Sequence, residues 1–219
     1  MKAPDLDVNP RPAERIMGVD RHIHLFDTIA RPYSWFHRIE IRKYTTLLRR
    51  HLPSIGVFPP LSVLDVGCGP GSFGIALRRQ GFSASGVDGS TKMASIAVSN
   101  GLECKIADAT VGLPYPDNSF DLVTAAYLAH GFTQEYREVL FSEMKRVARR
   151  LVLIHDFSPA EKGIPVFTIT GLLELLEGSD YVKFRHNAVR ELETVFGSVQ
   201  VFPISRWISW YICRAIAVC

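Results

Sequence analysis

Three glycines separated by single residues, Gly67, Gly69 and Gly71, punctuate the run VLDVGCGPGSFG; Asp65 comes just before them, and Asp88 ends the next apolar run. Glycine lacks a Cβ, so a turn built from it can bend sharply and bring backbone amides and carbonyls close to a ligand. An aspartate one strand further on is placed to accept hydrogen bonds from the two hydroxyls of a ribose. Together they read as a nucleotide site. Dinucleotides held through pyrophosphate use the spacing G-x-G-x-x-G and need amide donors at the turn. Here the spacing is G-x-G-x-G, position 72 is serine, and Pro70 removes a donor. The turn therefore suits a ligand without phosphates better, while Asp88 alone is compatible with either kind.

Such a turn needs a strand before it and a helix after it. SVLDV (62–66) is a short, β-branched run ending at glycine, and predicts a buried strand. GSFGIALRRQG predicts a helix closed by Gly81, and SASGVD (83–88) a second strand. STKMASIAVSNG predicts a helix capped by Ser90 and closed by Gly101. LECKIAD is a third strand and SFDLVTAAY (119–127) a fourth; a helix over Gln134 to Arg149 leads to a fifth, RLVLIHDF. Strand and helix alternating in this way make a parallel sheet with right-handed crossovers. The end differs: SVQVFPISRWISWYICRAIAV reads as two strands joined around Pro203 to Arg206, too close for a crossover and hence antiparallel. Upstream, Phe36, Ile39, Tyr44, Leu47 and Leu48 have helical spacing within 34–51, and residues 1–20 form a polar, proline-containing leader.

The 219 residues are 47% hydrophobic, enough for one core, which predicts a single domain over 21–219. The net charge of +3 comes from 25 basic and 22 acidic residues scattered along the chain, which is no footprint for nucleic acid. The basic and aromatic cluster at 31–51 reads as an amphipathic helix with a solvated face. Cys68, Cys104, Cys213 and Cys219 lack CxxC spacing and predict reduced thiols in a cytoplasmic protein. No signal peptide is expected, and Arg206 and Arg214 interrupt the apolar run 201–219, so no membrane insertion is expected. The absence of HExxH or a carboxylate cluster predicts no metal.

The stretch IADATVGLPYPDNSFDLVTAAYLAHGF (106–132), with VLDVGCGPGS and GVDGS, closely resembles the class I S-adenosylmethionine-dependent methyltransferases, over roughly residues 26–157. The resemblance implies a Rossmann-like, doubly wound α/β fold whose seven-stranded sheet is mostly parallel with an antiparallel C-terminal strand. It implies S-adenosylmethionine as cofactor, S-adenosylhomocysteine as product, and in-line transfer of the sulfonium methyl to a small-molecule acceptor, with aromatic or quinone-like rings among the candidates. Residue by residue, Asp65 would hold the methionine ammonium, and the backbone of Gly67, Cys68, Gly69 and Gly71 would face the methionine part and ribose. Asp88 would take the ribose hydroxyls, with Gly89 and Met93 packing on adenine. Asp108 would accept the adenine amino group, the Ala109 amide would donate to its ring, and the carbonyl of Ala125 would meet the methionine ammonium.

FDTIARPYSWF resembles the lead-in of the quinone-methylating branch, in which Tyr33 would close over the methionine carboxylate; Ser34 departs from the aspartate usual there. Residues 21–51 would form a helical lid and 157–186 an insertion near the substrate, whose run Ile164 to Leu176 either roofs a pocket or packs on the sheet edge. His130 stands where the family often has histidine near the methyl donor and is the candidate catalytic group. Cys68 reads as filler between glycines, and Asp117 and Asp121 as local structure. His155 and Asp156 form either a loop cap or a catalytic pair. No (N/D)PPY follows the fourth strand, which argues against amide or exocyclic nitrogens of protein or DNA as acceptors. Two alternatives stay open, an NAD-dependent oxidoreductase and a non-catalytic member that binds cofactor or a partner, and the oligomeric state is unassigned.

Overall fold

The computed structural model describes residues 37–159 and 180–215. The leader, Tyr33, most of the insertion and the last four residues lie outside them.

Each β-branched or apolar run becomes a strand of one sheet. β1 (Ser62–Val66), β2 (Ser83–Asp88), β3 (Cys104–Ile106), β4 (Phe120–Ala126) and β5 (Ala148–Phe157) pair in parallel. β6 (Gln200–Pro203) and β7 (Ile208–Arg214) form the expected hairpin, and β7 inserts antiparallel between β5 and β6. The order is β3-β2-β1-β4-β5-β7-β6. The chain winds outward from β1 in one direction and then resumes at β4 on the other side, so the crevice between β1 and β4 is the switch point at which open α/β sheets bind ligands.

Helices cover both faces: α1 over 37–51, α2 (Ser72–Arg79), α3 (Thr91–Ser99), α4 (Gln134–Val147) and α5 (Tyr181–Phe196). Strand alternation divides the apolar side chains into two cores. Val123, Val152, Ile154 and Tyr211 pack with Leu140 and Phe141 of α4 and Phe184 and Leu192 of α5. Val63, Leu122, Leu153 and Trp210 pack on the opposite face with Leu48 of α1 and Phe73 and Leu77 of α2.

Three details differ from the sequence reading. The buried stripe of α1 runs through His37, Ile41 and Leu48, whereas Ile39 is 53% exposed. α5 begins inside the segment assigned to the insertion and is a full helix with Phe184, Ala188 and Leu192 buried on one side. Asp121 does not make a local turn: its carboxylate accepts from the Ser62 amide at 3.0 Å and hydroxyl at 2.7 Å, joining β4 to the start of β1, and pairs with Arg149 at 2.6 Å.

Between α4 and α5 lies a buried ion pair. The Arg137 guanidinium donates from Nε to Glu191 Oε2 at 2.6 Å and from Nη2 to Oε1 at 2.8 Å. A third bond runs from Nη1 to the carbonyl of Phe132.

Candidate functional site

The glycine turn leaves β1 and rises into α2. Gly67, Gly69 and Gly71 all have positive φ, at 65°, 52° and 88°. At Gly67 an added Cβ would also come 2.5 Å from Leu128 Cδ1, so that the leucine side chain would have to shift. At Gly69 the space beyond the Cα is open, with no atom within 4 Å of an added Cβ. That opening is a cradle a ligand can fill, while the left-handed backbone keeps it free of side chain. The Gly67 and Cys68 amides donate to the Val87 carbonyl at 2.8 and 3.1 Å, tying the turn to β2.

Three acidic residues lie at or just beyond the carboxyl ends of β1, β2 and β3. Asp88, at the end of β2, accepts from the Gly69 amide at 2.8 Å through Oδ2 and from the Ser90 amide at 2.8 Å through Oδ1. Both of its oxygens therefore shape the turn. Asp65 is 1% exposed and accepts from the Thr124 hydroxyl at 3.0 Å. Burial pushes its carboxyl up to about 7, against the pull of Thr124 and the Gly74 amide and with a further push from the charge of Asp88. A cation beside Asp65 would restore its ionised form. Asp108 follows β3 and accepts from the amide and hydroxyl of Thr110 through Oδ1, at 2.8 and 2.6 Å, in an Asx turn. Its neighbour Ala109 packs on the larger core.

Met93 is fully buried in the first turn of α3, where the Ser90 hydroxyl caps its amide at 3.1 Å. Gly89 lies between Asp88 and that cap. Ala125 sits inside the ladder, opposite Val66 and Ile154, because β4 continues to Ala126. Asp65, the glycines, Asp88, Gly89 and Met93 thus gather at the carboxyl ends of β1 and β2, with Asp108 and Ala109 beyond the end of β3.

The carboxyl ends of β4 and β5 contribute residues that the sequence did not single out. Tyr127, just after β4, has φ 52° and is 40% exposed. A bulky residue in the left-handed region is uncommon and costs roughly 1–3 kcal/mol, and such strain clusters at functional sites. The tyrosine amide is held by the His155 carbonyl at 2.8 Å. Its ring makes edge contacts with His155 at 5.0 Å and Phe157 at 5.9 Å. Phe157 in turn meets His130 at 4.8 Å and Tyr181 at 5.3 Å. The signal for Tyr127 was its position in AAYL, at the end of a strand that faces the switch point.

His130 lies in the short 3-10 turn Ala129–Gly131 and its Nδ1 is 2.7 Å from Asp156 Oδ1. Asp156 is 0% exposed; its Oδ2 also accepts the Ala129 and His130 amides at 3.1 and 3.3 Å. As an acceptor-only carboxylate it fixes the proton of the imidazole on Nδ1, leaving Nε2 as the basic nitrogen. His155 and Asp156 do not pair with each other, because adjacent strand residues face opposite sides of the sheet. Asp156 caps the 3-10 turn, while His155 stacks against Phe73 at 5.9 Å and accepts at Nδ1 from Trp210 Nε1 at 2.9 Å. Burial lowers the His155 pKa to about 4, so it is neutral near pH 7.

Comparisons with known proteins bear on the family and the fold. Residues 63–150 match the family described as a methyltransferase domain. The chain is 28% identical over 156 residues to YcgJ of Bacillus subtilis, an uncharacterized methyltransferase, covering 66% of this chain and 59% of that protein. It is 33% identical over 114 residues to the demethylmenaquinone methyltransferase of Thermus thermophilus, covering 48% of this chain and 50% of that one. The chain thus spans between half and three-fifths of the length of these curated relatives. In fold it resembles magnesium protoporphyrin IX methyltransferase of Synechocystis, solved with bound S-adenosylhomocysteine, at a TM-score of 0.54 and 17% identity; 94% of this chain and 89% of that one are covered.

Proposed function

We propose that the chain, whose residues 63–150 match a methyltransferase domain, is a class I, S-adenosylmethionine-dependent enzyme that methylates a small organic acceptor with an apolar ring. The observation that supports the reading is the open space at Gly69, whose amide is held by the Asp88 carboxylate, at the carboxyl ends of β1 and β2, with the Tyr127–Phe157 ring contact at the carboxyl ends of β4 and β5. The first pair of strand ends fits a ribose and a cationic amino acid. The second fits an acceptor.

When bound, S-adenosylmethionine supplies a methyl group already activated by its sulfonium. The residues of the chain then have to bind, align and exclude water, and orientation can contribute about 7–11 kcal/mol. In this reading Asp88 accepts the ribose hydroxyls and Asp65 faces the ammonium, with the Ala125 carbonyl beside it. Met93 and Gly89 flank the adenine, while Asp108 and the Ala109 amide read its edge; Gly67, Cys68 and Gly71 shape the turn. Tyr33 over the methionine carboxylate, and the segment 21–51 as a lid, remain parts of the proposal that fall largely outside the described residues. His130, oriented by Asp156, takes a proton from an acceptor hydroxyl at Nε2. A phenol-like group gains most from that, because it is a weak nucleophile until deprotonated. The name of the Thermus relative, a methyltransferase of a quinone-type compound, supports an apolar ring as acceptor.

Calorimetric titration with S-adenosylhomocysteine and with NADH tests the cofactor. Binding of the first and not the second is expected, and Asp88→Ala should weaken it by about 2–4 kcal/mol through loss of charge-assisted hydrogen bonds. Unchanged affinity in that variant would remove the ribose from Asp88.

A further inference from the structure

Two thiols meet beneath the glycine turn. Cys68 Sγ, in the turn itself, lies 3.3 Å from Cys104 Sγ, the first residue of β3. Neither is an isolated cysteine on a surface. Cys68 is 6% exposed and Cys104 is half-buried on the edge strand of the sheet. β2 runs between them, and Gly86 is the residue paired with Cys104. A Cβ on Gly86 would come 2.6 Å from Cys68 Sγ, so its absence makes the gap through which the two sulfurs touch. The glycine-filler role of Cys68 is real, but it leaves the contact with Cys104 unexplained.

We propose that Cys68 and Cys104 form a reversible disulfide that distorts the glycine turn and weakens cofactor binding, which rests on the reading of that turn as the S-adenosylmethionine site. A disulfide needs its sulfurs about 2.05 Å apart, so closure draws them together by roughly 1.2 Å. Gly69 follows Cys68 directly and its amide is held by Asp88 at 2.8 Å. A displacement near 1 Å at such a place is enough to change binding substantially.

The oxidant is a low-molecular-weight disulfide such as oxidised glutathione. The hydrogen bond to Cys104 and burial hold the Cys68 thiol well above the usual thiol range, so half-buried Cys104 reacts first. Its thiolate attacks one sulfur of the oxidant, forming a mixed disulfide and releasing one glutathione as thiolate, which takes up the proton Cys104 gave up. Cys68 then attacks the Cys104 sulfur; the bond to the second glutathione breaks, and the proton of Cys68 leaves with it. Two protein thiols lose two electrons and two protons, and one small disulfide becomes two thiols.

The test equilibrates full-length wild type and Cys104→Ser in oxidised and reduced glutathione mixtures, followed by peptide mass spectrometry and titration with S-adenosylhomocysteine. Expected are a Cys68–Cys104 linked peptide and a fall from four thiols to two in the denatured wild type. Affinity should drop by roughly tenfold or more and return with dithiothreitol, while the Cys104→Ser protein binds alike before and after oxidant. No linked peptide at the most oxidising ratio, or a linked protein that binds as tightly as the reduced one, overturns the proposal. Failure of the reduced wild type to bind at all would instead overturn the cofactor reading, and the linked peptide would still be scored on its own.

Discussion

Asp65 is a carboxyl almost without water, and its raised pKa of about 7 makes it a proton carrier in the ligand-free protein. If an ammonium binds beside it, the ionised form is favoured and a proton must leave. At pH 6, where Asp65 is mostly protonated, calorimetry in buffers of different ionisation enthalpy should report release of nearly one proton per S-adenosylhomocysteine bound. Affinity should fall by up to about tenfold per pH unit below 7. Asp65→Asn should abolish the buffer dependence; a buffer-independent enthalpy in the wild type would place the ammonium elsewhere. Residues of this kind were legible in the sequence because each flanks a glycine turn or ends a strand. The His130–Asp156 pair was not. His130 lies in the connection after β4 and Asp156 within β5, and only the pairing of β4 with β5, which sets Ala126 opposite His155, brings them together. Single-sequence periodicity reads a strand's faces but not its register against a neighbour.

At the scale of elements, α5 shows why one part of the fold was missed. Tyr181, Phe184, Ala188, Leu192 and Phe196 repeat at helical spacing, yet the buried side also carries Arg185 and Glu191, which dilute the apolar signal. Glu191 is buried for a purpose visible only in three dimensions, since it receives both nitrogens of the Arg137 fork from α4. Removing one partner of a buried pair leaves the other uncompensated, so Arg137→Met should destabilise the protein by about 3–5 kcal/mol in urea unfolding. Adding Glu191→Leu should recover most of that loss, because two apolar residues can replace a buried pair at little net change. A double variant no better than the single one would mean that the bond from Arg137 to the Phe132 carbonyl carries the stability instead. β1, β2 and the glycine-bounded helices, by contrast, followed their sequence limits closely, whereas β3 is shorter than the run LECKIAD and β5 begins at Ala148, within the stretch read as helix. Ser90 caps α3 and Gly101, at φ 95°, closes it, as the side-chain chemistry of each requires.

For the molecule as a whole, two buried groups on different strands oppose each other in their response to acid. The folded-state pKa of His155 is lowered from 6.5 to about 4 by burial. Its contribution to stability is therefore complete above pH 6.5 and lost as pH falls toward 4. The folded-state pKa of Asp65 is raised from 3.8 to about 7. Its contribution is complete below pH 3.8 and lost as pH rises through 7. Between about pH 4 and 6.5 the two slopes, each near 1.4 kcal/mol per pH unit, have opposite signs and nearly cancel. His155→Phe removes one of them. Relative to wild type, the variant should lose stability as pH rises from 4.5 to 6.5, by about 2–3 kcal/mol in denaturant titrations, and a parallel pair of curves would refute the compensation.

The bond from Trp210 to His155 also gives the protein an internal lamp. Trp210 is wholly buried, and its indole nitrogen donates to the very imidazole nitrogen that takes up the acid proton. A protonated imidazole cannot accept that bond. The ultraviolet emission of this one indole, one of three in the chain, is thereby wired to a titration in the core, so a variant keeping Trp210 as its single tryptophan would report acid entering the sheet as light.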